Sequence, residues 1–307
     1  MKITVIGAGN VGASVALRIA DQDLANEIVL IDILEGIPQG KALDLWQSGP
    51  VQQYDARVVG TNDYADTANS DIIVMTAGLA RKPGMSRDDL LVANTEIVRD
   101  AISKVAPKSP KAIIIVVSNP LDVMTYVAMK VSKFPAHRVF GMAGILDTAR
   151  YKTFIADALK VSVRDIHGMV LGGHGDTMVP LPRYTSVGGI PLTHLLPADK
   201  IEAIVKRTQD GGAEIVKHLK TGSAFYAPAA GAVEMVASIV KDRKRLLPVC
   251  AWLNGEYGYK DVYMGVPCIL GKEGVERILE FPFNDEEKKL FANSVDHVKV
   301  ETAKVTV

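Results

Sequence analysis

Residues 2–22 read KITVIGAGNVGASVALRIADQ. A β-branched run enters a glycine-rich turn and leaves it as an amphipathic helical pattern, so the stretch reads as strand, turn and helix. Gly7, Gly9 and Gly12 stand in GxGxxG spacing. In such a turn the first glycine permits the sharp bend and the second lets backbone approach a pyrophosphate. The third lets helix and strand pack closely, with the phosphates at the helix N-terminus. The same letters also fit an ordinary glycine-rich turn. The next strand separates the two readings: EIVLID ends on Asp32, about twenty residues past the last glycine, where a carboxylate meets the ribose of a dinucleotide. It accepts both ribose hydroxyls of NAD and repels the extra phosphate of NADP. The expected cofactor is therefore NAD, held by Gly7, Ala8, Gly9, Asn10, Val11, Gly12 and Asp32.

Beyond this unit, short apolar runs keep alternating with helical patterns. EIVLID precedes GKALDLWQ, DIIVMTAG precedes the stretch from Arg87 to Val105, and AIIIVVSNP precedes LDVMTYVAMKV. Runs without polar alternation suit parallel strands covered on both faces. The expected fold is α/β: a doubly wound, Rossmann-type parallel sheet with ligands at the carboxyl ends of its strands. From Gly144 the pattern changes to a helix (ILDTARYKTFIADALK), β-like pieces, and a long helix (ADKIEAIVKRTQDGGAEIVKHLK). A small-residue helix (AAGAVEMVASIVK), a β-rich meander and a charged terminal helix follow. Two domains are expected, residues 1–142 for NAD and an α+β unit, residues 143–307, for substrate binding and catalysis. No low-complexity linker separates them, so they should pack tightly.

Lys+Arg 35 against Asp+Glu 35 gives zero formal net charge, which removes any global electrostatic reason to expect nucleic acid or an anionic membrane as partner. Cys250 and Cys268 have no metal-ligand spacing, and no metal is expected. No apolar run approaches the roughly twenty residues that span a bilayer. A strand-like run begins at Lys2 in place of a basic and apolar leader. The expectation is a soluble, cytoplasmic protein with both thiols unpaired.

The candidate chemistry lies in four further stretches. LARKPGMSRDDL, after DIIVMTAG, carries Arg81, Lys82 and Arg87 around a Pro-Gly turn. In isolation it is a solvated basic loop. It leaves a strand on the side of GAGNVG, however, and arginine forks on a closing lid suit an anionic substrate. In ILDTARY, Asp147 and Arg150 share one helix face. They form either a local ion pair or two separate devices, a carboxylate orienting a histidine and a clamp on a substrate carboxylate. SNPLD closes a strand at Asn119, whose amide can bond both ribose and substrate, while Pro120 and Asp122 read as an ordinary helix start. VLGGHGDTMVP sets His174 among Gly172, Gly173 and Gly175. That is either a turn histidine or a working one with space cleared around it.

GAGNVG with Asp32, LARKPGMSR, VSNPLD, LDTAR and GGHGD occur in this order in one chain. Together they resemble the lactate/malate dehydrogenase family, and within it the lactate-dehydrogenase-like malate dehydrogenase branch, from Lys2 to the last helix. The resemblance implies that His174 is the acid/base partnered by Asp147, and that Gly173 and Gly175 let substrate and nicotinamide come close. It implies that Arg150 anchors the carboxylate beside the reacting carbon, that Arg87 polarises the carbonyl, and that Asn119 touches substrate and cofactor. Asn94, Val117 and Ser118 follow as further cofactor contacts on the resemblance alone. Arg81 decides the substrate: where the family has glutamine it favours lactate, whereas arginine meets the second carboxylate of malate or oxaloacetate. A guanidinium facing pyruvate's methyl group would be a buried, unpaired charge costing about 3–5 kcal/mol.

Longer lactate dehydrogenases carry an N-terminal arm used between subunits, which this chain does not show. Armless relatives imply a homo-oligomer, a tetramer more than a dimer, with GKALDLWQ and AAGAVEM as contact surfaces. Three competing readings remain. Another 2-hydroxy-acid dehydrogenase would lack the reason for Arg81. An NAD-dependent glycosidase would need a metal site, and a non-catalytic NAD sensor would have no use for the arginines, the aspartate and His174.

Overall fold

The computed structural model describes residues 1–79 and 86–307, the side chain of Arg87 excepted. Six strands pair in parallel: β1 (Lys2–Ile6), β2 (Glu27–Ile31), β3 (Arg57–Thr61), β4 (Ile72–Met75), β5 (Ile113–Val116) and β6 (Val139–Gly141), in the order β3-β2-β1-β4-β5-β6. Between them run α1 (Asn10–Asp21), α2 (Ile37–Gln52), α3 (Arg87–Val105) and α4 (Leu121–Ser132). The sheet is buried on both faces. In β5, Ile113 and Ile115 join the cluster of Val15 and Ile19 from α1, while Ile114 and Val116 join Val98 from α3 and Met124 from α4. Each such side chain is worth about 1.5–3 kcal/mol on burial, which explains why these strands show no polar alternation. Strand order reverses between β1 and β4, so the loops above them diverge and leave a crevice.

Two of these strands, β3 and β6, were not apparent from sequence periodicity. Strand β3 is an edge strand interrupted by Gly60, on which a Cβ would lie 2.1 Å from the Pro38 carbonyl oxygen. Strand β6 has only three residues.

The rest comprises α5 (Gly144–Leu159), β7 (Ile166–His167), β8 (Val170–Leu171), β9 (Val179–Pro180), β10 (Ser186–Val187), β11 (Ile190–Pro191), α6 (Leu192–Leu195) and α7 (Ala198–Leu219). It ends with α8 (Tyr226–Val240), β12 (Arg245–Asn254), β13 (Lys260–Gly271), β14 (Gly274–Ile278) and α9 (Asp285–Ala303). Strands β7, β10 and β11 form one small sheet and β8 and β9 another. The meander β12-β13-β14 is not a separate layer. Strand β12 pairs antiparallel with β6 through Cys250 and Gly141, extending the parallel sheet to nine strands. The main sheet thus crosses the expected boundary at residue 142.

The small-residue helix α8 is spent inside the chain. Ala229, Ala232, Val233 and Met235 are buried in the core shared with α1, because small side chains let the two helices approach closely. The AAGAVEM face is therefore not an exposed contact surface, whereas α2 leaves Leu43 and Trp46 half exposed, at 51% and 52%. Among the described residues, no helix is long and apolar enough to cross a membrane.

Candidate active site

At the turn after β1, Gly7 has a φ of +100°, and a Cβ on it would lie 2.7 Å from the Ala77 nitrogen. On Gly12 a Cβ would fall 1.8 Å from the Gly7 carbonyl oxygen. Both glycines are therefore demanded by the fold. Gly9 is different: nothing lies within 4 Å of the place its Cβ would take. Helix α1 starts there without a side-chain cap and without an acid in its first turn, leaving its first N–H groups to an anion. Asp32 is fixed beside the turn. Its Oδ2 accepts the Ala8 N–H at 2.7 Å and its Oδ1 the Leu34 N–H at 3.0 Å. Lys41 of α2, unmarked in the sequence reading, donates to the Ala8 carbonyl at 2.7 Å. Gly7, Ala8 and Gly12 are buried, Gly9 and Asn10 are exposed, and Val11 lies between. An open glycine edge at an uncapped helix end, with a fixed carboxylate alongside, fits a dinucleotide.

A histidine–carboxylate pair is assembled from residues 27 apart in sequence. Asp147, one turn into α5 and 1% exposed, places Oδ2 2.9 Å from His174 Nδ1 and accepts a bond from Arg150 Nη1 on Oδ1 at 3.2 Å. Burial opposes charge on the imidazole. The charge and hydrogen bond of Asp147, with Asp122 behind it, outweigh burial and the opposing Arg150, so the His174 pKa lies above its ordinary value. With Asp147 as acceptor, the Nδ1 position carries the proton and Nε2 is the nitrogen left for a substrate.

Arg150 lies over Gly211 and Gly212 of α7. A Cβ on Gly211 would come 3.1 Å from Arg150 Cδ. Arg150 Nε is buried and has no partner among the described residues. A mostly enclosed guanidinium with one bond to Asp147 and donors to spare fits a carboxylate ligand.

The glycines beside His174 do different work from one another. Gly172 pairs with Gly265 through two backbone hydrogen bonds, 2.9 and 3.1 Å. A Cβ on Gly173 would meet Val298 Cγ2 of α9 at 2.8 Å, so Gly173 clears room for protein instead of ligand. Only Gly175 of the three, with a φ of +126°, faces space that nothing in the described structure fills within 4 Å. Ser294 of α9 holds the Gly173 N–H at 2.8 Å.

At the end of β5, Asn119 is exposed and its backbone carbonyl accepts from Asn94 Nδ2 at 2.6 Å. Asn94 is 1% exposed and also bonds the Leu79 N–H and carbonyl, at 2.7 and 3.2 Å. Its amide ties the chain before residue 80 to the SNP turn. Ser118 Oγ donates to the Ala77 carbonyl at 2.6 Å, and the Val117 N–H to the Met75 carbonyl at 2.8 Å. Arg81 lies outside the described residues, and so does the side chain of Arg87, whose backbone opens α3.

Sequence reasoning missed Asp122, read there as a helix start. Its Oδ2 accepts the His174 backbone N–H at 2.9 Å and its Oδ1 the Cys250 thiol at 3.2 Å. No local pattern signals contacts 52 and 128 residues apart.

The chain matches the NAD binding domain of lactate/malate dehydrogenases over residues 1–141 and their α/β C-terminal domain over residues 145–307. It belongs to the lactate/malate dehydrogenase family. A malate dehydrogenase of Chlorobium phaeovibrioides is 65% identical over 289 residues, 94% of each chain. The solved structure of malate dehydrogenase from Salinibacter ruber superposes with a TM-score of 0.95 at 53% identity, covering 99% of this chain and 97% of that one. A Cryptosporidium parvum lactate dehydrogenase complexed with lactic acid and the nicotinamide cofactor also reaches 0.95, at 43% identity, covering 98% and 96%. Lactate and malate members of the family therefore share one backbone, and side chains must separate their substrates.

Proposed function

We propose that this chain is an NAD-dependent malate dehydrogenase interconverting (S)-malate and oxaloacetate, with His174 as acid/base. The observation that carries the chemistry is the His174–Arg150 pair held on the buried Asp147 carboxylate, in a chain 65% identical to a malate dehydrogenase. Bound NAD supplies hydride exchange at its nicotinamide ring. In the reducing direction, His174 delivers a proton from Nε2 to the keto oxygen, and Asp147 stabilises the imidazolium beforehand. Arg150 grips the carboxylate next to the reacting carbon, which leaves its Nε and Nη2 with partners and fixes the keto group towards His174. Arg87 polarises the carbonyl, Arg81 meets the second carboxylate, and Asn119 bonds substrate and cofactor. Gly9 and the α1 N-terminus hold the pyrophosphate, Asp32 the ribose, and the Asn94, Val117 and Ser118 region shapes the nicotinamide side. Residues 1–142 carry cofactor binding and residues 143–307 most of the substrate site.

The protein works as a cytoplasmic homotetramer whose contacts include the half-exposed Leu43 and Trp46 of α2. The deciding experiment follows NADH consumption with oxaloacetate and, separately, with pyruvate at equal enzyme. A preference for oxaloacetate by orders of magnitude, lost in Arg81→Gln, is expected. Equal rates would remove the malate assignment, and no consumption of NADH with either substrate would remove the dehydrogenase.

A further inference from the structure

Asp122 is 6% exposed, stands at the start of α4 and is not consumed by the chemistry above. It lies where three parts of the chain meet: α4, the loop bearing His174, and β12 at the seam where the antiparallel strands join β6. The His174 N–H can only donate, so Oδ2 must accept. At Oδ1 stands the Cys250 thiol, 0% exposed, whose own pKa is pushed well up by burial and by the neighbouring Asp122, so it remains an S–H donor. Burial raises the Asp122 carboxyl above its usual range, and the bonds from His174 and Cys250 pull it back towards the ionised form.

We infer that Asp122 is a positioning residue for the acid–base step: it anchors the His174 backbone and supplies a second buried carboxylate, which the Cys250 thiol keeps in its accepting form. The inference rests on His174 being the acid/base. Among the described residues, the charged and titratable groups that act on it are Asp147 and Arg150 on α5 and Asp122 on α4, with Cys250 on β12 and Cys268 of β13 behind Asp122. Asp147 fixes the ring from Nδ1, and Asp122 fixes the main chain from which that ring projects. Loss of Asp122 therefore leaves the direct Asp147 bond but weakens the field that holds the imidazolium.

The test is Asp122→Asn, which keeps an oxygen to accept the His174 N–H and removes the charge. In oxaloacetate reduction, kcat/KM falls as pH rises through the His174 pKa. The midpoint of that fall should move down by about half to one unit, a three- to tenfold loss on the alkaline limb. This is less than the 1–3 units of a directly paired carboxylate. A merely structural role would lower the acidic plateau and leave the midpoint in place, which would overturn the inference. His174→Asn separates this from the underlying assignment: if it retains activity, the acid–base reading itself fails. If Asp122→Asn does not fold, Cys250→Ala carries the test. Without the thiol donor Asp122 holds its proton to higher pH and supports the imidazolium less, so the alkaline midpoint should move down as it does in Asp122→Asn, and Cys250→Ser, with an O–H donor, should restore it. An alkaline limb for Cys250→Ala superimposable on the parent's would also overturn the inference.

Discussion

Replacing Asp147 with asparagine tests the centre of the proposed mechanism with little change in volume. Unit charges about 4 Å apart attract by about 4 kcal/mol at an effective dielectric of about 20. The His174–Asp147 contact at 2.9 Å between Oδ2 and Nδ1 falls in that regime. The imidazolium stays equally buried in the variant, so burial does not enter the difference, and what is lost is the charge and hydrogen bond of Asp147 that raise the His174 pKa. Asp147→Asn should therefore lower the His174 pKa, and at pH above both values the protonated fraction, and with it kcat/KM, should fall by about one to two orders of magnitude. The assay is kcat/KM for oxaloacetate from initial rates of NADH consumption between about pH 5 and 9. The parent should hold a plateau that falls only at high pH, whereas the variant should gain activity steadily on acidification. Stability should follow the same linkage. A histidine whose folded pKa is raised contributes stability fully present below its unfolded value of about 6.5, and that contribution is lost as pH rises through the folded value. The parent's excess stability over Asp147→Asn should thus be largest in acid and shrink with rising pH. A variant with an unmoved pH profile, or one within a factor of about three of the parent throughout, would refute the assignment of Asp147 as the group that charges His174.

Three further outcomes are expected. Gly9→Ala should fold with a melting temperature close to the parent's and bind NADH about tenfold more weakly, whereas Gly12→Ala, whose Cβ would strike the Gly7 carbonyl at 1.8 Å, should lose stability outright; calorimetry and NADH fluorescence titration check the pair. Arg150→Lys keeps the charge and one bond but not the fork, so kcat/KM for oxaloacetate should fall by about 100-fold, the worth of one charge-assisted bond, and a variant near parent activity would exclude the carboxylate clamp. Trp46→Glu should dissociate the assembly in analytical ultracentrifugation, since it sets a charge on the half-exposed apolar face of α2; unchanged sedimentation would place the subunit contact elsewhere.

The strands β1, β2, β4 and β5 and the helices α1, α3 and α4 were legible from sequence because each satisfies its periodicity locally. So was the phosphate turn, whose glycines are dictated by atoms close to it in space: Gly12 meets Gly7, and Gly7 meets Ala77 across the adjacent strand. Strand β6 was not legible, because three buried residues carry no period, and the fusion of β12 to β6 was hidden because pairing across 109 residues leaves no local mark. The functional site divides along the same line. His174 was marked by its glycines and Arg150 by its spacing from Asp147. Two of those glycines proved to serve packing, Gly172 against Gly265 and Gly173 against Val298.

The sequence by itself determined which residue types the proposed chemistry has to draw on and the order in which they occur, since the glycine turn, the strand-end carboxylate and the glycine-flanked histidine are each marked by particular side chains at short spacings. Only the tertiary structure decided how Asp147 is shared between His174 and Arg150, that Asp122 holds the histidine from behind with Cys250, and that α8 is buried instead of exposed. Those are outcomes of packing distant segments into a low-dielectric interior, where one carboxylate can reach two partners and an otherwise unremarkable helix-start aspartate must find its hydrogen bonds across the fold.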